Sequence, residues 1–478
     1  MKWFVREWLL FRLAGWPGKV LKLLKYSSTL SSFVSLLVKA RPILVLVRNL
    51  QQGTSTFESL LTAAHIPSIS FAIAVTAAFI DHRAATFDKL GSQDIRRDEH
   101  WKSVYRKLNK QAQTEQCKVE EFDGMAGWTN PSLNRQLLLA SARGDKIVNY
   151  RCGAPRWVAY ERDDDGQKSQ AAKLRQYVVE RAINRGHRIF NDPKVRLSSD
   201  IDSSLGETVR LQRTDYISSM MTDGIAFERI YDRTSDIPIS DGYSFFLEEL
   251  RGQPRLKSLL DSASSNQLGA STLAFSSDGF LVLTDQTERN QHSGGKLSPS
   301  GSGSFDWSDV EAEKGGDFIT LVKKAAAREL MEETGLDQDP NFDSAKLVQD
   351  HLVIIGFTRL IHRAGKPEFF CLARIDKTMA EIGALVPKRR ERKYTQKTLC
   401  HDAAALSAKG SLKDEITRVC HHYFDSNRDP SERERTRRHR LSYQVMHGMA
   451  LLVACLEDEE SLQYLQKVLA WPAKKTRT

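Results

Sequence analysis

A chain of 478 residues is too long for one compact core, so two to four structural units are expected. At 41% hydrophobic and 27% charged residues, the composition excludes disorder over most of the length. Six scattered cysteines with no CxxC pair argue for a reducing compartment and against a cysteine zinc site.

The net charge of +10 sits mostly in the first 80 residues, where nine Lys/Arg face only Glu7 and Glu58. A basic excess beside apolar sequence points to a lipid bilayer, and no specific nucleic-acid binding is expected. Leu60–Ile80 contains no Asp, Glu, Lys or Arg over 21 residues. That is about the length needed to cross a ~30 Å hydrocarbon core as a helix. Thr29–Val47 is a weaker partner, interrupted by Lys39, Arg41 and Pro42. The connecting Asn49–Ser59 has no Lys or Arg while both outer flanks are basic, as a hairpin with both ends in the cytoplasm requires. Two alternatives stay open: an interfacial amphipathic helix over residues 1–50, where Trp3, Trp8 and Trp16 interleave with basic residues, and a buried core helix over Leu60–Ile80. No short apolar run near the start leads to a small-residue cleavage site, so the segment is not a cleavable signal peptide.

Residues 84–130 read as a polar connector with a helical stretch at Asp98–Gln116. An amphipathic helix is expected at Gln170–Arg185, among mixed segments without a repeat or a recognisable catalytic spacing. Around Asn266 the texture changes. Leu268–Phe275 alternates and carries β-branched residues, Asp278-Gly279 is a hairpin-type turn, and Phe280–Thr284 is the returning strand. A Gly/Ser-rich loop follows, then a helix from Phe318 to about Thr334, with Ala325–Ala327 as strong helix formers and Gly335 as a left-handed cap.

That helix carries the chemistry. Arg328, Glu329, Glu332 and Glu333 lie on barely two turns, and the three carboxylates share one side. Their mutual repulsion must be offset by solvent and basic partners or by a hard divalent cation such as Mg²⁺, which favours carboxylate oxygens, waters and substrate phosphates. A charge run is usually a solvated, salt-bridged face, but the fixed order Arg-Glu-aliphatic-x-Glu-Glu-x-Gly-aliphatic speaks against that reading here.

The run from Arg328 to Leu336 resembles the second half of the box of the Nudix hydrolase family, Gly-x5-Glu-x7-Arg-Glu-U-x-Glu-Glu-x-Gly-U with U aliphatic. The resemblance covers roughly Ser265–Asp425 and implies an α/β fold, a Nudix-type α/β/α sandwich with bound Mg²⁺ or Mn²⁺ that hydrolyses a nucleotide diphosphate-type small molecule. It implies that Glu329, Glu332 and Glu333 are metal-site carboxylates, that Arg328 braces them, and that Gly335 lets the chain turn. The first half of the box departs from the pattern: Lys314 stands at the glycine and Thr320 at the first glutamate. A lengthened loop would make Gly301–Ser304 the turn after the strand and bring Asp306, Asp309, Glu311 or Glu313 towards the metal. The departure puts the outer ligand and full catalytic competence in doubt.

Beyond the box, His351–Leu360 and Pro367–Ile375 read as strands, and Glu368 on the second is a candidate general base beside the commoner reading of an exposed strand glutamate. Basic clusters at Lys388–Lys393 and Arg433–Arg440 are candidate phosphate holders or plain solvated surface. Leu441–Leu469 reads as helical, broken by Glu457–Glu460.

The expected organisation is a basic N-terminal region (1–95), a connector and mixed α/β unit of unknown role (96–262), the Nudix-type domain (263–430) and a C-terminal helical region (431–478). The expected activity is that of a membrane-tethered hydrolase with its catalytic domain in the cytoplasm. The alternative is a weak or inactive nucleotide sensor coupled to the membrane segment. Two spans joined to such a domain also resemble effectors of bacterial antiphage defence that answer a nucleotide second messenger, by architecture alone. On fractionation without detergent, the intact chain is expected in the membrane pellet; recovery in the high-speed supernatant would remove the tether.

Overall fold

The computed structural model describes residues 93–471 except 98–100, 146–147, 163–168, 170, 173, 176–177, 180–190, 233–237, 288–294, 314–315, 389–394, 400–404, 408–409 and 429–439. The chain divides into two compact units, Met1–Gln93 and Asp94–Thr478, and the described elements belong to the second apart from Gln93 itself. Both expected membrane spans therefore lie outside the described residues. Among those described, no helix is long and apolar enough to cross a membrane.

In chain order the elements are β1 (Gln93–Arg97), α1 (Trp101–Thr114), β2 (Lys118–Phe122), β3 (Met125–Thr129), α2 (Pro131–Arg143), β4 (Tyr150–Cys152), β5 (Pro193–Leu197), β6 (Val209–Asp215), α3 (Tyr216–Thr222), β7 (Glu228–Asp232), β8 (Pro238–Asp241), β9 (Leu247–Leu250) and β10 (Gln253–Leu256). Then come β11 (Gly269–Ser276), β12 (Leu281–Gln286), β13 (Lys296–Ser298), β14 (Gly301–Ser304), α4 (Trp307–Ala312), α5 (Phe318–Thr334), α6 (Ser344–Asp350), β15 (Leu352–Leu360) and β16 (Lys366–Ile375). The chain continues through α7 (Met379–Ala384), β17 (Thr395–Leu399), α8 (Leu412–Arg428), β18 (Arg440–Leu441), α9 (Tyr443–Cys455) and α10 (Glu459–Val468). The mixed α/β class expected from the sequence is what the chain adopts.

The largest sheet runs β18-β13-β12-β11-β16-β15-β3-β2, with β14 also on β11 and β17 also on β12. β11 lies parallel to β16, and every residue of β11 is buried, as a strand covered on both faces must be. Along its other edge β11 changes partner, from β14 at Gly269–Thr272 to β12 at Ala274–Phe275. Ser300 stitches that change: its hydroxyl accepts from Ala274 N–H at 2.7 Å and donates to the Val282 carbonyl at 2.6 Å.

Alternation divides the core in two. Ala270, Ala274, Val282, Phe369, Cys371 and Ala373 pack with Val322, Ala326 and Leu330 of α5. Leu273, Phe275, Phe370 and Leu372 pack with Ile416 of α8 and Val445, Met449 and Leu452 of α9. Consecutive strand residues thus serve opposite helices. At the end of α5, Gly335 adopts φ 81°, a left-handed turn that any side chain would strain. The C-terminal helical region is interrupted where expected, with Asp458 capping α10 through Ser461 N–H.

Two expectations require correction. Residues 96–262 do not form a unit separate from the later sheet, because the hairpin β2–β3 pairs onto β15 through Gly127–Thr129. Nor is Gly301–Ser304 a turn. It is strand β14, pressed so closely on α5 that a Cβ on Gly301 would collide with the Leu330 backbone.

Where hairpin β2–β3 meets α9, His362 Nδ1 donates to the Ala126 carbonyl at 3.0 Å and the ring leans on Tyr443 at 4.7 Å. Burial, reinforced by nearby Arg363, pulls the imidazole pKa down to about 3. The folded ring stays neutral while the unfolded chain takes up a proton below about 6.5. Stability is therefore intact above that value and lost as pH falls towards 3, by at most about 1.4 kcal/mol per pH unit from this group. Urea denaturation of His362→Gln should show a shallower acid limb; an unchanged limb excludes this origin.

Candidate active site

The residues around Arg328 form a charge cluster on the α5 face of the sheet. Asp317 caps the helix by accepting from Thr320 N–H at 2.8 Å, which sets the register of everything after it. Three turns on, Arg328 meets Asp309 of α4 in a two-pronged contact, Nε to Oδ1 at 2.8 Å and Nη2 to Oδ2 at 2.9 Å. Its remaining nitrogen, Nη1, lies 3.0 Å from Glu329 Oε1, 3.2 Å from Glu332 Oε2 and 3.7 Å from Asp306 Oδ2. One guanidinium thus serves four carboxylates. Desolvation works against its charge, but Glu329 and Asp309 outweigh that and hold Arg328 above its ordinary value.

Glu329 and Asp309 are the most enclosed of the four, at 13% and 9% side-chain exposure. The Glu329 carboxylate sits against Gly303 of β14, where a side chain would occupy the same space. Burial raises its pKa, and Glu332 and Asp306 raise it further, while Arg328 and Lys194 oppose the shift. Glu333 lies one turn on, buried, with Thr284 Oγ1 of β12 at 3.4 Å from Oε2. Glu332 is the more exposed, at 34% of its side chain.

The middle of the chain contributes to this site. Sheet β4-β6-β5 is joined to it by backbone bridges, Asn149 with Asp317, Lys194 with Asp306 and Arg196 with Gln267. Phe318 N–H donates to the Val148 carbonyl at 2.7 Å, and Tyr150 N–H to Gly316 at 3.0 Å, so β4 anchors the start of α5. Lys194 Nζ pairs with Asp306 Oδ1. Arg196, wholly buried, staples the adjoining segment by donating to the carbonyls of Ser262 and Ser264.

Of the residues singled out from sequence, Arg328, Glu329 and Glu332 are brought together, Glu333 stands one turn along, and Gly335 ends the helix. Among the four loop acids, Asp309 grips Arg328 and Asp306 approaches it, whereas Glu313 pairs with Lys324 and Glu311 is exposed. Thr320, at the position of the missing glutamate, is in the first turn of α5.

Glu368 is not part of the cluster. It shares the strand face of Phe370, on the α9 side, where Ser271 Oγ donates to it at 2.8 Å and Lys366 pairs with it. Neither a general base at Arg328 nor an exposed strand residue, it is a buried ion-pair member. Lys388 pairs with Asp337 at 2.7 Å; the rest of its basic cluster and all but Arg440 of the second lie outside the described residues. Lys194 was missed because the sequence around it carries no motif.

Among the described residues no three carboxylate, imidazole or thiolate groups stand close enough to coordinate one ion. The donor chemistry nevertheless fits a hard divalent cation, being oxygen-only. Asp306, Asp309, Glu329 and Glu332 gather around Arg328, with Lys194 on Asp306. No protein-family model matches the chain, and no curated protein matches it in sequence.

Breaking the two-pronged contact should cost stability, because Arg328→Met strips the enclosed carboxylates of their guanidinium and Asp309→Asn removes the clamp that positions it. Arg328→Met and Asp309→Asn are each expected to cost about 2–4 kcal/mol in urea denaturation. The double variant should cost less than their sum by about 1–3 kcal/mol. Strict additivity would show that the pair is not coupled.

Proposed function

We propose that the chain is a membrane-tethered hydrolase of nucleoside diphosphate-linked compounds, dependent on Mg²⁺ or Mn²⁺, with a Nudix-type sandwich built around α5. The observation that supports it is the Arg328 cluster, in which one guanidinium gathers Glu329 and Glu332 of α5 with Asp309 and Asp306. Glu329, Glu332 and Glu333 would hold the metal. When bound, the ion supplies polarisation of a phosphoryl oxygen and an attacking water of lowered pKa.

The chain's own residues do the positioning. Asp309 fixes the guanidinium fork of Arg328, and the fork in turn sets Glu329 and Glu332 on one side of the helix. Gly303 leaves the Glu329 carboxylate room against β14, and Gly335 turns the chain away as soon as Glu333 has been presented. The apolar layer beneath α5 excludes water from the rear of the cluster.

A second reading, a nucleotide sensor that binds without turnover, is favoured by Thr320 at the first glutamate of the box and by the lack of three converged ligand groups among the described residues. Its ligand would be a nucleotide second messenger acting on the membrane segment. Thermal stabilisation by nucleotides with no product formed, even in excess Mn²⁺, separates it from the hydrolase.

A hydrolysis screen of the full chain over nucleoside diphosphate-linked compounds should reveal metal-dependent turnover. Glu332→Gln and Glu333→Gln should each lower it by about 100-fold or more. Turnover that survives both substitutions rules out the metal roles.

A further inference from the structure

We infer that helix α1 is a membrane-docking face, its row of lysine and arginine meeting the anionic headgroups of phospholipids. The inference rests on the membrane tether proposed above and adds the surface that meets the bilayer. Helix α1 (Trp101–Thr114) contains no Asp or Glu. Tyr105, Leu108 and Ala112 bury one side of it with Trp128 of β3, Phe227 and Ile361. Lys102, Arg106, Lys107 and Lys110 stand exposed on the opposite side. Among the described residues none of these four takes part in an ion pair, and Lys102 rests over the Trp101 ring at 5.5 Å. Glu115, just past the helix, pairs with Arg255 at 3.4 Å, and Asp98 and Glu99 before it lie outside the described residues.

A helix face that only meets water ordinarily interleaves both signs and gains from pairs four residues apart. Here Lys102 with Arg106, and Arg106 with Lys110, are like-charge pairs at that spacing, and they repel. The helix cannot turn to relieve them, because its apolar side is held in the core and Gln111 accepts from Leu256 N–H at 3.2 Å. An anionic surface removes the repulsion. Trp101, half-buried at the helix start, adds an aromatic ring of the kind that sits at headgroup level. Nucleic acid offers the same phosphates, but the nearby apolar run favours lipid. Residues 81–100 alone separate that run, Leu60–Ile80, from the helix. At ~3.3–3.6 Å per residue the tether holds α1 within about 70 Å of the bilayer. A patch too weak to recruit a chain from solution suffices at the effective concentration this creates. The cytoplasmic leaflet, where both ends of the hairpin are expected, is the negatively charged one.

Lysine footprinting reads this face by itself, apart from the basic N-terminal region. The full chain is reconstituted into vesicles of phosphatidylcholine, and into vesicles of equal parts phosphatidylcholine and phosphatidylserine. A membrane-impermeant acetylating reagent is then applied, with Lys467, exposed on α10, as internal reference. Lys102, Lys107 and Lys110 should be acetylated about fivefold more slowly, or slower still, on the anionic vesicles. The protection should vanish in about 1 M salt, where the Debye length is about 3 Å. Arg106→Glu, which changes the charge by two, should weaken docking about 25-fold and expose the three lysines, whereas Arg106→Lys keeps them protected. Equal acetylation on both vesicles, or protection that persists in Arg106→Glu, overturns the proposal. Equal protection by a DNA duplex or RNA without anionic lipid assigns the face to nucleic acid and overturns it too. Flotation with the neutral vesicles tests the tether separately. A chain that fails to float refutes the tether, and one that floats with its three lysines unprotected on anionic vesicles refutes the docking alone.

Discussion

The guanidinium of Arg328 is the constraint on which the rest of the site depends. A carboxylate as enclosed as Glu329 is costly unless a charge partner stands beside it. Arg328 is that partner, and it holds its position because Asp309 occupies both prongs of its fork from another helix. A lysine in its place would offer one point of contact and would not fix Glu329 and Glu332 on one side of α5. The direction of the Glu329 shift follows from the same geometry: burial and two acidic neighbours act one way, and the two cations the other.

That arrangement needs close backbone contact, and β14 provides it. Its alternation of glycine and serine lets the strand lie against Leu330 and Glu329 while its other edge pairs with β11. The middle of the chain closes the opposite end, where β4 holds the start of α5 and β5 delivers Lys194. Two segments outside the box therefore set the position and electrostatic surroundings of α5.

What was legible in the sequence is what local forces determine. Helix α5, its glycine stop, the β11–β12 hairpin and strands β15 and β16 follow from propensity, capping and alternation within a few residues. The clamp on Arg328 spans 19 residues and the Lys194–Asp306 pair 112, and both depend on sheet register that no local window contains. Gly301–Ser304 misled because Gly-Ser composition marks turns and close backbone approaches alike. Glu368 misled for another reason. Alternation places it with Phe370, but a single strand does not say which of its faces meets α5.

The two faces of the sheet show why one acidic group is a candidate cation site and the other is not. On the α9 face, Glu368 has Lys366 as a buried partner and a Ser271 hydroxyl as donor, so its charge and lone pairs are already met. Glu368 and Lys366 also fill the space above Gly269, where a Cβ would strike both. An added ion there would have to break a satisfied pair. On the α5 face four carboxylates share the one guanidinium of Arg328, and Asp306 also takes a lysine on a flexible stem. A dication placed there would relieve the repulsion that Glu332 and Asp306 add to the burial of Glu329.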